Sequence, residues 1–98
     1  MRVQTDGRVT FLRVHNVGSG YGPQNDSIDV EVVTQLDSKP GQSFGFQLRN
    51  DANTWVRQGM LDLLRDAFNN NWLVMLEYDI EDGQNNGVIA RVALKKPG

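Results

Sequence analysis

Several residue types and patterns are absent or scarce in this 98-residue chain. Because it has no cysteine, it contains no disulfide bond, no cysteine-ligated zinc and no cysteine nucleophile. No apolar run approaches the length of a membrane-spanning helix, so we expect no membrane insertion. The formal net charge of −2 gives no long-range attraction to nucleic acid. The sequence therefore favours an ordinary globular protein with weak, if any, nucleic-acid affinity.

The composition predicts one small domain covering residues 1–98. Apolar residues make up 39% of the chain and charged residues 22%, an ordinary composition, and a chain of this length can bury a modest core without a metal or disulfides. The first residues, MRVQTDGRV, lack the apolar core of a signal peptide. As written, the chain is expected to be cytoplasmic, although a mature secreted chain with an added Met1 has the same appearance, so the localisation stays open.

Five stretches alternate between apolar and polar residues in the manner of β-strands. They cover residues 8–14, 27–36, 43–48, 72–78 and 88–94, and residues 1–7 are expected to be loose or to form an edge strand. Between the third and fourth stretches, residues 60–68 have apolar residues at helical spacing: Met60, Leu61, Leu64, Ala67 and Phe68. The predicted order is βββ-α-ββ, and the predicted fold is a mainly β, five-stranded barrel capped by one helix.

This element order, over roughly residues 8–95, resembles that of the OB-fold. More loosely, it is similar to the B subunits of the pentameric AB5 bacterial toxins, which have a helix at the same place. The resemblance implies a ring-forming protein that binds a glycan. The best-known toxin subunits carry a disulfide and this chain has no cysteine, so no binding residue is transferred from them.

A second apolar face on the strands predicts self-association. If Trp72, Val74 and Leu76 point into the barrel, then Leu73 and Met75 must point outward. The same alternation places Val33 and Ile89 outside. Since exposed apolar patches mark interfaces, we predict a homo-oligomer with contact residues Val33, Leu73, Met75 and Ile89. The toxin resemblance makes a pentameric ring the first choice.

Two aromatic residues are candidates for ligand binding. Tyr21 lies between Gly20 and Gly22 in a loop, where a ring is readily presented to a ligand. Trp55 lies just before the predicted helix, beside Asn53 and Arg57, and an exposed indole there would stack on a sugar or a base. The candidate ligand-binding residues are Tyr21, Asn53, Trp55 and Arg57.

No pattern in the chain indicates catalysis, a cofactor or a metal. The glycine loop has Pro23 where a dinucleotide fingerprint needs its third glycine, and a strand follows instead of a helix. The acidic turn at residues 79–86 lacks the spacing of an EF-hand. His15, the only histidine, has no recognisable catalytic partner in the sequence. We therefore predict a protein without catalytic residues, cofactor or metal ligands.

The sequence leaves three functions open. The leading interpretation is a non-enzymatic, oligomeric binding module, with a glycan as the candidate ligand. The first alternative is a single-strand nucleic-acid-binding OB-fold protein, for which a basic groove interleaved with aromatic residues would be the distinguishing feature. The second alternative is a small enzyme that uses His15 and the acidic loops.

Overall fold

The computed structural model describes residues 1–96 as a mainly β chain with five strands and one helix. The strands and the helix are, in chain order, β1 (Arg2–Val14), β2 (Val32–Leu36), β3 (Phe44–Phe46), α1 (Thr54–Asn70), β4 (Leu73–Asp79) and β5 (Gly87–Lys95). The predicted order βββ-α-ββ is confirmed. Residues 97–98 of the predicted domain lie outside the described residues.

The five strands form a closed ring in the order β1-β2-β3-β5-β4, and β4 returns to β1. All neighbouring strands are antiparallel except β3 and β5. β1 closes the ring because it has two partners: residues 2–8 pair with β4 and residues 9–14 pair with β2. Residues 2–7, for which the sequence predicts a loose segment or an edge strand, are therefore part of β1.

The core lies inside this ring. The inward face of β4 agrees with the prediction, since Val74, Leu76 and Tyr78 are all buried. The ring of Tyr78 packs on that of Phe44, with 4.6 Å between their centroids. Glycine at position 87 makes room for this pair, because a Cβ there would lie 2.6 Å from Cδ2 of Tyr78.

The helix α1 covers the ring with one face, on which Met60, Leu64 and Ala67 are buried. It ends at Asn71, whose φ of 57° is the left-handed conformation that asparagine tolerates better than most residues. Phe68 was predicted to join the buried stripe, but it is 49% exposed. The reason is angular: each residue advances about 100° around a helix, so Phe68 lies to one side of the line through Leu64 and Ala67.

The helix also starts earlier than predicted, at Thr54 and not at Met60. The additional turns do not extend the core stripe, because Trp55 and Val56 are exposed. The apolar periodicity of the buried stripe therefore does not extend over this segment, and it did not mark the true start of the helix.

Ile89 does not point outward as predicted, but is buried in the main core. The cause is a shift of register between β4 and β5: Glu77 pairs with Arg91 and Tyr78 with Ile89, so one residue of β5 has no partner. Such a bulge reverses the alternation of a strand. Ile89 therefore faces inward, while Val88, which was expected inside, is 41% exposed.

Val33 is also buried and not exposed as predicted. The prediction that it points away from the main core is correct. It belongs to a second apolar cluster with Ile28 and Val30, separate from the main core, against which Phe11 and Tyr21 pack. The segment before β2 thus folds over Val33. Of the four predicted interface residues, Leu73 and Met75 keep partly exposed side chains and Val33 and Ile89 are not available to a partner.

Leu64 tests the placement of the helix, because its side chain is completely buried in the main core. We predict that Leu64→Ala lowers the free energy of unfolding by about 2–5 kcal/mol, since it removes buried methyl groups and leaves a cavity. Urea unfolding followed by circular dichroism measures this change. A loss below about 0.5 kcal/mol, which is typical of surface positions, would contradict the packing described.

Candidate functional site

The long connection between β1 and β2, residues 15–31, crosses the outer face of the sheet. Val30 is fully buried and lies directly over Gly45 of β3, where an added Cβ would be 2.5 Å from Cγ2 of Val30. Glycine at position 45 therefore permits the close approach of this segment. The connection thereby reaches the loops at the far end of β2.

Three connections are joined there by hydrogen bonds around Asp26 and Asn86, which we call the Asp26–Asn86 lock. The Oδ1 atom of Asp26 accepts from the backbone N–H groups of Asn85 at 2.9 Å and Asn86 at 3.0 Å. In return, Nδ2 of Asn86 donates to the carbonyl oxygen of Asp26 at 2.9 Å. The Oδ1 atom of Asn86 accepts from the N–H of Ser43 at 3.0 Å, so residues 37–43 are included.

A depression of about 430 Å³ opens beside this lock. Its walls combine one aromatic ring with amide, hydroxyl and carboxylate groups, from Tyr21, Gly22, Pro23, Asp26, Gln35, Gly41, Ser43, Asn85 and Asn86. The backbone of Tyr21 is fixed by paired hydrogen bonds with Ile28 of 2.9 and 2.8 Å. The guanidinium of Arg13 lies 5.0 Å from the centroid of the Tyr21 ring, within range of a cation–π interaction. We call this depression the Tyr21 pocket.

The other three predicted ligand-binding residues lie together at the start of α1, and they do not line the Tyr21 pocket. Trp55 is 86% exposed, so its indole is fully presented. Asn53 and Arg57 line a depression of about 270 Å³. Arg57 is also ion-paired with Asp51 at 2.6 Å. The N–H of Asn53 and this guanidinium hold the pKa of Asp51 below its usual value.

An apolar groove of about 530 Å³ runs between α1 and β5. We call it the α1–β5 groove; its lining residues are Val56, Gly59, Met60, Leu63, Ala90, Arg91 and Val92. Gly59 leaves the groove open, since a Cβ there would meet no atom within 4 Å. This groove was not predicted from the sequence, although Val56, Met60 and Leu63 have the helical spacing that marks a second apolar stripe.

Residues 2–8 of β1 have β4 as their only strand partner, and two further strand edges also have a partner on one side only. β5 pairs with β3 only at Gly87 and Val88, so residues 89–95 are paired with β4 alone and their other edge borders the α1–β5 groove. Residues 9–14 of β1 are likewise paired with β2 alone. Exposed valines flank this second edge: Val14 is 53% exposed and Val17 is 64% exposed.

His15 has contacts that do not resemble those of a catalytic base. Its Nδ1 atom lies 3.4 Å from Nη2 of Arg13, and its Nε2 atom is buried without a hydrogen-bond partner in the described part of the chain. Within residues 1–96, no group of three or more histidine, aspartate or glutamate side chains is arranged to hold a metal ion.

Over the same residues, no helix has both the length and the apolar character required to span a bilayer. Comparisons with protein-family models, with curated proteins and with solved structures gave no match to this chain. The features that bear on function are therefore those of its own geometry: the lock, the Tyr21 pocket, the α1–β5 groove and the two strand edges.

The Asp26–Asn86 lock can be tested by removing its acceptor. We predict that Asp26→Ala accelerates hydrogen exchange at the amides of Asn85 and Asn86, because both lose their hydrogen-bond partner. NMR-detected exchange resolves the two amides. The matched control is Asp82→Ala. Asp82 is exposed and lies in the β4–β5 connection, which also contains Asn85 and Asn86, and its replacement should leave both exchange rates unchanged. Equal exchange in the Asp26→Ala variant and the unmodified protein would mean that the carboxylate does not hold the loops.

Proposed function

We propose that the ring of strands is an OB-fold barrel that serves as a non-enzymatic, self-assembling binding module. The strand order β1-β2-β3-β5-β4 and the helix between β3 and β4 support the OB-fold assignment. The single observation that carries the assembly proposal is the edge of β5 with no strand partner beside the exposed apolar α1–β5 groove.

Strand edges without partners are templates for another strand, and proteins normally cover or charge them. Here the β5 edge is accompanied by Val56, which is 60% exposed and lines the α1–β5 groove. The β1 edge is accompanied by Val14 and Val17. Each copy thus has two different adhesive surfaces, and the simplest contact that uses both joins the β1 edge of one copy to the β5 edge of the next.

A contact between two different surfaces is heterologous, and it forms a closed ring or an open filament. Burial of apolar surface there stabilises by about 25 cal/mol per Å² before the cost of association. We propose a closed ring, with a pentamer as the first choice because of the toxin-like element order. Leu73 and Met75, the partly exposed residues of the original interface prediction, would lie within or beside the contact.

Charge substitutions on the two edges test this arrangement. We predict that Val14→Glu and Val56→Glu each disrupt the assembly, because each places a charge in one half of the contact. Light scattering with size-exclusion chromatography measures the change. The decisive measurement is made on a mixture of the two variants. Each variant alone should be monomeric. Because each keeps the surface that the other has lost, the mixture should form a heterodimer.

Phe68→Glu is the matched control, since Phe68 is 49% exposed near the other end of α1, away from the β5 edge. It should leave the assembly intact. A monomeric unmodified protein would overturn the proposal altogether. Assembly that survives both edge variants would place the interface elsewhere, and failure of the mixture to form a heterodimer would exclude the head-to-tail arrangement.

For the ligand, we propose a glycan that binds in the Tyr21 pocket. An aromatic ring beside amide, hydroxyl and carboxylate groups suits a sugar, which has both an apolar face and many hydroxyl groups. The lock supports this assignment, because a preorganised pocket loses little entropy when the ligand binds. Trp55, also predicted as a ligand residue, lines neither the Tyr21 pocket nor the α1–β5 groove.

A glycan array followed by titration calorimetry tests the ligand. We predict that Tyr21→Leu lowers the affinity for the best glycan at least about tenfold, because it removes the aromatic ring. Leucine keeps an apolar side chain against the second apolar cluster, formed by Ile28, Val30 and Val33. Gln35→Ala should also weaken glycan binding, because Gln35 lines the pocket. Trp55→Ala should leave the affinity unchanged, because Trp55 does not line it. An array without any binder, or affinity unchanged by Tyr21→Leu, would refute this ligand site.

Single-strand nucleic-acid binding is the less supported alternative. OB-folds bind oligonucleotides on the face of β2 and β3, and here Val30 covers that face at Gly45. Several arginines are also ion-paired: Arg2, Arg49, Arg57, Arg65 and Arg91. The enzyme alternative has less support still, since the Nε2 atom of His15 is buried.

A further inference from the structure

Asn86 is the only asparagine in the chain that is followed by glycine. Such pairs deamidate more readily than others, because glycine has no side chain to hinder attack by its own backbone nitrogen. We infer that Asn86 is a deamidation site protected by the Asp26–Asn86 lock, and that its modification releases the lock irreversibly. The glycine that creates this reactivity is required by packing, since a Cβ at position 87 would collide with the ring of Tyr78.

The reaction needs no enzyme and no oxidant. The backbone nitrogen of Gly87 attacks Cγ of Asn86, a new C–N bond closes a cyclic imide, and the side-chain nitrogen leaves as ammonia. Water then opens the imide at either carbonyl carbon and yields aspartate or isoaspartate. The net change is replacement of the amide nitrogen by oxygen, which converts a neutral side chain into a carboxylate.

In the folded protein, three hydrogen bonds oppose this reaction. The attacking N–H of Gly87 donates to the carbonyl oxygen of Ser43 at 3.1 Å. The side-chain amide is held at both ends, by the N–H of Ser43 at 3.0 Å and by the carbonyl oxygen of Asp26 at 2.9 Å. Ring closure requires rotation of this amide, so the site reacts only when the lock opens.

The product cannot remake the lock. A carboxylate at position 86 has no N–H to donate to the carbonyl oxygen of Asp26. It also lies near the carboxylate of Asp26, which accepts from the backbone at Asn85 and Asn86. Two negative charges there repel each other across a site with low exposure. Because Asp26, Asn85 and Asn86 all line the Tyr21 pocket, deamidation should also loosen that pocket. This last effect on ligand binding rests on the proposed function.

Peptide mapping by mass spectrometry, on protein incubated at mildly alkaline pH, measures the reaction at Asn86. Because reaction requires opening of an internal site, we expect the native rate to be at least about tenfold below the rate in urea. Asp26→Ala should raise the native rate part of the way, because it frees the backbone amides of Asn85 and Asn86 and lets the lock open more often, although the three hydrogen bonds above remain. Asp82→Ala should not raise it. Equal rates in native buffer and urea, or no acceleration by Asp26→Ala, would overturn the inference.

Asn86→Asp tests the consequence of the modification, with hydrogen exchange at the Asn85 amide as a readout that does not involve a ligand. Faster exchange in this variant supports release of the lock, and unchanged exchange overturns it. If exchange accelerates but no glycan binds the unmodified protein, the proposed ligand is wrong while the lock stands. If Asn86→Asp does not fold, the partly deamidated protein separated by ion-exchange chromatography gives the same measurement.

Discussion

Closure of the sheet depends on one strand, β1, which is long enough to serve two partners in succession. Its first half pairs with β4 and its second half with β2, and the irregular register between Val9 and Phe11 marks the change. A strand that changes partners leaves each half paired on one side only. The same feature that closes the ring therefore also produces the β1 edge, so a strand edge with a partner on one side only is an intrinsic consequence of this topology.

The other edge has a complementary origin. β3 has only three residues and its pairing with β5 ends after Gly45 and Val88. The chain then leaves the sheet to form α1, whose side chains, not a strand, border the remainder of β5. Side chains cannot satisfy a row of backbone groups as a strand does, and the opening at Gly59 keeps the groove accessible. The groove and the β5 edge thus follow from one short strand.

The sequence predicted the element order and the inward face of β4, because hydrophobic periodicity depends only on local neighbours. It failed at Ile89, since a bulge reverses the alternation and a bulge is determined by the partner strand. It failed at Val33 because the residues that cover it come from a connection without regular structure. Periodicity also could not predict the exposure of Trp55, because a tryptophan just before a predicted helix can be either buried or exposed. Tyr21, Gln35 and Asn85 line one pocket because three connections meet in the folded chain, and local sequence patterns do not show which connections meet.

An ionic network around the buried carboxylate of Glu31 joins the two regions for which functions are proposed. Glu31, at the end of the 15–31 connection, has a side chain only 3% exposed and accepts from the N–H of Leu48 at 3.0 Å and from Arg49 at 3.1 Å. Hydrogen bonds to Asp29 and Glu31 raise the pKa of Arg49, so it stays charged throughout the working range.

The carbonyl oxygen of Arg49 in turn accepts from the hydroxyl of Thr54, the first residue of α1. Loss of Arg49 would leave the carboxylate of Glu31 buried without its ionic partner, which is far more costly than the net value of the pair. The segment that carries Tyr21 and the helix that carries Trp55 are consequently fixed to the same short stretch of chain, residues 48–54. A ligand in the Tyr21 pocket and a neighbour on the β5 edge would therefore act on one connected network, with two distinct surfaces and a shared internal support.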